Sequence, residues 1–221
     1  EIGAAASAAG RLWDRVGDEF DAGYSQIEPQ LLAVLDTAQA RVAQGAMDYV
    51  PRLLRDTGQD ALDRPSFGFD PLSFVGTAGD GMPTDSLAYG SVLRAKHTIA
   101  EGGTTLEALA AGQTFLTTAV GTLLSDTGRG VETLATAARP ITGYVRMLSP
   151  PSCGRCVVLA GKRYKTNDGF KRHPDCDCRH IPATEDVAGD LTTDVSAYLG
   201  SLDDRALART LGSEANAEAF R

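Results

Sequence analysis

Aromatic side chains are scarce in this 221-residue sequence, at 6%, with a single Trp. Ala, Gly, Leu and Thr are abundant instead. Helices covered by small side chains pack through close backbone approach, so the composition favours a helical framework. Long apolar runs are also missing. None nears the roughly 18 residues of a membrane span, and the opening Glu1, Ile2, Gly3 lacks the basic start and apolar stretch of a secretory signal. A soluble protein with no membrane partner is expected. No Met stands first, and 215–221 reads as a helix interrupted in mid-run, so trimming at both ends is expected. Several catalytic patterns are absent as well. No Ser sits in a G-x-S-x-G elbow, no Gly-rich phosphate loop follows a strand, and the H-x-E with P-C-x-x-C pattern of zinc deaminases does not occur. The pairs Glu185-Asp186 and Asp203-Asp204 read as helix starts, and His97, beside Lys96 on an expected helix, reads as a surface residue. An enzyme is not expected.

What is present is helical periodicity, followed by a change of pattern. Over 27–54 the apolar residues Leu31, Leu32, Leu35, Ala38, Val42, Ala46, Tyr49, Val50, Leu53 and Leu54 recur at spacings of three and four. Pro29 suits the first turn of that helix, and Pro51, which lacks an amide, is expected to kink or restart it. The stretch 59–84, rich in Gly, Pro, Asp and Ser, reads as an ordered loop or a set of short turns. Asp85 is placed to cap a helix ending at Gly102-Gly103, and Thr104 or Thr105 to start another that reaches about Ala137. In that second helix Gly112, Gly121, Gly128 and Gly130 mark either close helix contacts or a break near Asp126. The Ala-rich opening reads as a frayed helix. After Pro140, the run 141–148 is strand-like in residue type and roughly alternating. The end, 192–221, reads as two short helices, with Asp203 or Asp204 starting the second. The fold expected is α+β, predominantly α: an acidic helical region over 1–140, then a small basic α+β module over 141–221 that closes with helices.

Charge follows the same division. The formal net charge is −8, yet between Arg139 and His180 nine Lys/Arg (Arg139, Arg146, Arg155, Lys162, Arg163, Lys165, Lys171, Arg172, Arg179) face three Asp (Asp168, Asp175, Asp177). That is +6 locally and leaves −14 for the rest. A basic module in an acidic chain suits nucleic acid or an acidic protein surface; equally, such charges solvate a small domain with little core.

All four cysteines fall within 26 positions, as Cys153-x-x-Cys156 and then His173-x-x-Cys176-x-Cys178-x-His180. A C-x-x-C turn sets two thiolates on one metal, and a second ligand pair after a short insertion completes a tetrahedron, the pattern of a zinc knuckle. Lys162, Arg163 and Tyr164 are expected on a rising strand within the insertion, and Asn167-Asp168-Gly169 at its turn. Cys153 and Cys156 form the surest pair. The second pair comes from His173, Cys176 and Cys178, and His180 ranks last because it belongs to the departing chain. Two disulfides, or four reduced thiols without metal, are the competing states; a reducing cytosol opposes the disulfides. A structural zinc ion is the expected cofactor, because the cysteines alone can fill four positions and leave none open for water.

The ordered run from Gly143 through Ser152-Cys153-Gly154-Arg155-Cys156, with Leu159 to Lys162 and then Arg172-His173-Pro174-Asp175-Cys176-Asp177-Cys178-Arg179-His180-Ile181-Pro182, resembles the Mu F-like minor head proteins of actinobacteriophages. The likeness is dense from Thr142 to about Leu199 and looser before it. It implies a structural protein of the phage head, encoded beside the portal, assembled in the host cytoplasm, present in few copies in the virion, and linked to head assembly, DNA packaging or ejection. The partners it implies are the portal and the major capsid protein, with packaged DNA a further candidate.

Overall fold

The Ala-rich opening, expected to fray, is a twelve-residue helix α1 (Ile2–Trp13) in the computed structural model, which describes residues 1–140, 143–148, 152–165, 179–189, 191 and 194–221. Trp13 anchors it. The ring is 2% exposed, and its indole N–H donates to the Leu109 carbonyl at 2.8 Å. Helix α2 (Phe20–Asp56) begins well before the expected start and runs 37 residues through both prolines. Pro29 therefore lies in the helix interior rather than in the first turn, and Pro51 does not restart the helix. Each proline forfeits one amide-to-carbonyl bond. The burial of Val50 and Leu54 on either side of Pro51 supports the helix across that loss, since packing outweighs local propensity.

The loop over 59–84 does form short turns: 3-10 turns at Asp60–Leu62 and Pro71–Phe74, and an isolated bridge between Thr77 and Pro83. Helix α3 (Thr84–Ala100) starts one residue ahead of Asp85, so that carboxylate sits in the first turn beside the positive end of the helix dipole and is not the cap. Gly102, at φ +88°, stops the chain as expected. Thr104 and Glu107 then form a reciprocal box at the start of α4 (Thr105–Ala137). The Thr104 amide donates to Glu107 Oε2 at 2.8 Å, and the Glu107 amide donates to Thr104 Oγ1 at 3.3 Å.

Helix α4 runs 33 residues without a break at Asp126. Two of its glycines are there for close packing: a Cβ on Gly112 would strike the Trp13 ring, and one on Gly130 would strike Phe74.

Strands β1 (Gly143–Met147), β2 (Arg163–Lys165) and β3 (Arg179–Pro182) make an antiparallel sheet in the order β2-β1-β3. Tyr144 is opposite Tyr164 on one side and Pro182 on the other. The first four residues of β1 are all buried, so its burial does not alternate as expected; a central strand in this sheet is covered on both faces. Helix α5 (Gly154–Leu159) lies between β1 and β2. After β3 come α6 (Glu185–Ala188), α7 (Val195–Gly200), α8 (Asp204–Leu211) and α9 (Glu214–Phe220). The tail thus carries three helices beyond residue 192 rather than two. Asp203 caps α8, accepting from the Ala206 amide at 2.7 Å.

The chain is predominantly helical, 69%, with this one small sheet. No helix among the described residues is long and apolar enough to cross a membrane. Two compact units result, each drawn from two stretches: Glu1–Asp48 with Phe69–Val131, and Tyr49–Gly68 with Glu132–Arg221.

The first unit has one large core from α1, α2, α3 and α4, in which Trp13, Ile27, Leu31, Leu35, Val92, Leu116 and Leu124 are buried together. Its buried polar centre is Gln39. The side-chain amide donates to the carbonyls of Phe74 and Thr77 and to Thr127 Oγ1, each at 3.1 Å, and its oxygen accepts from the Gly76 amide at 3.0 Å. The second unit buries smaller groups: Leu148, Cys156, Val157, Leu199 and Leu207 in one, and Val145, Ile181, Ala183 and Ala188 in another.

Candidate metal centre

The C-x-x-C pair occupies the start of α5, where a tight knuckle loop was expected. Cys153 is the N-cap, extended at φ −76° and ψ 159°, and Cys156 is the third helical residue. This is the spacing of a capping box, in which each side chain reaches toward the other residue's backbone amide, so both thiols stand at the same helix start. Their surroundings differ. Cys153 is exposed, whereas Cys156 is 2% exposed and packs with Leu148, Val157, Leu199 and Leu207.

The first of the two residues between them is constrained by the fold. A Cβ on Gly154 would run into the carbonyl oxygen of Thr210, so glycine lets the start of α5 lie directly against the end of α8. Two further contacts hold this corner: the Ser152 amide donates to the Tyr198 hydroxyl at 3.2 Å, and the Val157 amide closes the first turn onto the Cys153 carbonyl at 3.0 Å.

His173, Cys176 and Cys178 lie outside the described residues, as does the turn expected at 167–169. Among the described residues, no three of His, Cys, Asp and Glu gather as a metal site. The flanking chain is informative nonetheless. Arg179, which follows Cys178 directly, pairs with Met147 in the sheet, and Met147 is six residues ahead of Cys153. The antiparallel register thus sets Arg179 beside Met147, the last residue of β1. His180 sits in β3 opposite Arg146, within the departing strand to which the sequence had assigned it.

The donor types suit a thiophilic ion such as zinc.

Other residues around the site escape sequence reading. Arg146 is completely buried on β1 and Arg139 nearly so, so two of the nine cations that make the stretch basic are not surface charges. Arg139 donates to the Ala135 carbonyl and lies 3.6 Å from Asp63. Gln59, in the loop after α2, pins the far end of β3: its amide donates to the Pro182 carbonyl at 3.2 Å and its oxygen accepts from the Thr184 amide at 3.1 Å. No local pattern marks Gln59 for that role, because its partners lie more than 120 residues away in sequence. Tyr144 and Tyr164 stack across β1 and β2 with ring centres 5.7 Å apart.

No protein-family profile, curated protein or solved structure matches this chain.

Proposed function

We propose that the chain is a minor head protein of a tailed phage. In this reading its cysteine-bearing region is a structural zinc module that acts as an assembly adaptor beside the portal and major capsid protein. Cys153 and Cys156 supply two ligands, and two of His173, Cys176 and Cys178 supply the others. The observation that carries the metal reading is the Met147–Arg179 pairing, which draws the stretch before the first cysteines and the residue after the last into adjacent strands. The phage assignment rests on the ordered motif from Gly143 to Pro182.

The physical case for an ion is the size of the clusters around the cysteine pair. Among the described residues Cys156 belongs to a cluster of seven buried residues, and a bound zinc ion in a small module contributes on the order of 10 kcal/mol against the entropy of ordering the chain. With four protein ligands the ion has no position for water, so the role is structural and no catalytic step is assigned.

The test has two parts. Elemental analysis of purified, reduced protein should find one zinc per chain, lost when Cys153 and Cys156 are both replaced by Ser. Folded protein with no stoichiometric metal would overturn the zinc reading. A phage carrying Cys153→Ala should give defective heads or unstable protein, and normal heads would count against the adaptor role.

A further inference from the structure

The basic character of the second half is narrower than its sequence implies. No Asp or Glu stands between Glu132 and Asp168, whereas 181–221 holds eight acidic residues against Arg205, Arg209 and Arg221. Five cations fall between Arg146 and Lys165. Arg146 is buried, and Arg163 faces Glu185 at 3.6 Å. The remaining three, Arg155 on α5, Lys162 in the turn and Lys165 on β2, are exposed and make no ion pair or side-chain hydrogen bond among the described residues. The positive φ of Gly161, +72°, turns α5 directly into β2, so all three belong to one short helix–turn–strand segment.

We infer that this segment binds the phosphate backbone of double-stranded DNA. Three exposed cations within one short segment repel one another, and a polyanion relieves that repulsion. The span is right for a duplex. A six-residue helix rises ~9 Å and a three-residue strand ~10 Å, so the charges lie within one turn of B-form DNA, roughly 34 Å. Nothing in the segment resembles a base-reading element, so the contact is to phosphate and independent of sequence. The inference does not depend on the head-protein reading, because it stands on the exposed cations alone.

The test is fluorescence anisotropy of the full chain with a short labelled duplex across a salt series. Binding should weaken steeply with salt. In the triple variant Arg155→Ala, Lys162→Ala, Lys165→Ala, the slope of log affinity against log salt should fall by about 2.7, since each lost phosphate contact removes ~0.9. A control triple, Arg11→Ala, Arg15→Ala, Arg94→Ala, makes the same change in net charge at exposed sites of the first unit and should leave the slope unchanged. No binding at the lowest salt, an unaltered slope in the first variant, or an equal loss in the control would each overturn the inference. An acidic protein as the true occupant would show itself through the first of these outcomes.

Discussion

The two compact units reach stability by different means. The first gathers seventeen buried apolar residues into one large core, with Ala43, Ala46 and Val131 in a separate cluster and a buried Gln at the centre of a closed hydrogen-bond set. The second, among the described residues, includes a cluster of seven and a cluster of four, and places two arginines in its interior. In the large core, any one contact is supported by many neighbours. In the smaller clusters, order depends on a few specific devices: a glycine that lets backbones meet, a side chain that pins a strand end and, in the function proposed above, an ion.

The comparison is most exposed to metal removal. If zinc holds the second unit, a strong chelator under reducing conditions should speed amide exchange throughout β1, α5 and α8 and leave α1 and α3 unchanged. A loss on the order of 10 kcal/mol of apparent binding energy is at stake. Equal exchange in both units after chelation would remove the ion from the account.

Next in size is Trp13→Ala, expected to cost ~3–5 kcal/mol in denaturant unfolding, because the ring fills the space against Gly112 and satisfies the Leu109 carbonyl. Gly154→Ala should cost ~1–3 kcal/mol by driving a methyl group into the Thr210 carbonyl, and the loss should appear in the exchange of α5 and α8. Gln39→Leu tests the first unit's polar centre. It leaves the Phe74 and Thr77 carbonyls and the Gly76 amide without their partner, for a loss of ~1–3 kcal/mol.

The smallest effect is a pH dependence at the start of α4. Hydrogen bonds from the Thr104 amide and then its hydroxyl hold the Glu107 carboxyl below its ordinary value of 4.5. Its contribution is therefore complete above that ordinary value and disappears as pH falls through the lowered folded value. Glu107→Gln should flatten this dependence, read as the urea midpoint between neutral and acidic pH, with little change at neutrality. A midpoint that falls equally with acid in both proteins would show that the box does not titrate.

The outline of this fold was legible because it rests on local signals. The helical period of 27–54, the Gly102 stop, the helix start at Thr104 or Thr105 and the one at Asp203 or Asp204 are all short-range signals, and each lies in or beside an element of the expected type. The misreadings share one cause. Pro29 and Pro51 were weighed by propensity, and the opening helix by its lack of obvious anchors, but burial against distant residues decided both. The same holds at the candidate site. The C-x-x-C spacing was evident, while the reason for Gly154 was not, because Thr210 is more than fifty residues further on.

The sequence by itself determined that the chain is mainly helical, that its cysteines cluster beside a strand, and that its positive charge is concentrated in one stretch. These follow from periodicity, spacing and count, which need no partner in space. Only the tertiary structure decided which cations are buried and which face solvent, how β3 meets β1, and why a glycine sits between two cysteines. Those properties depend on groups far apart along the chain, where close packing and hydrogen-bond satisfaction act.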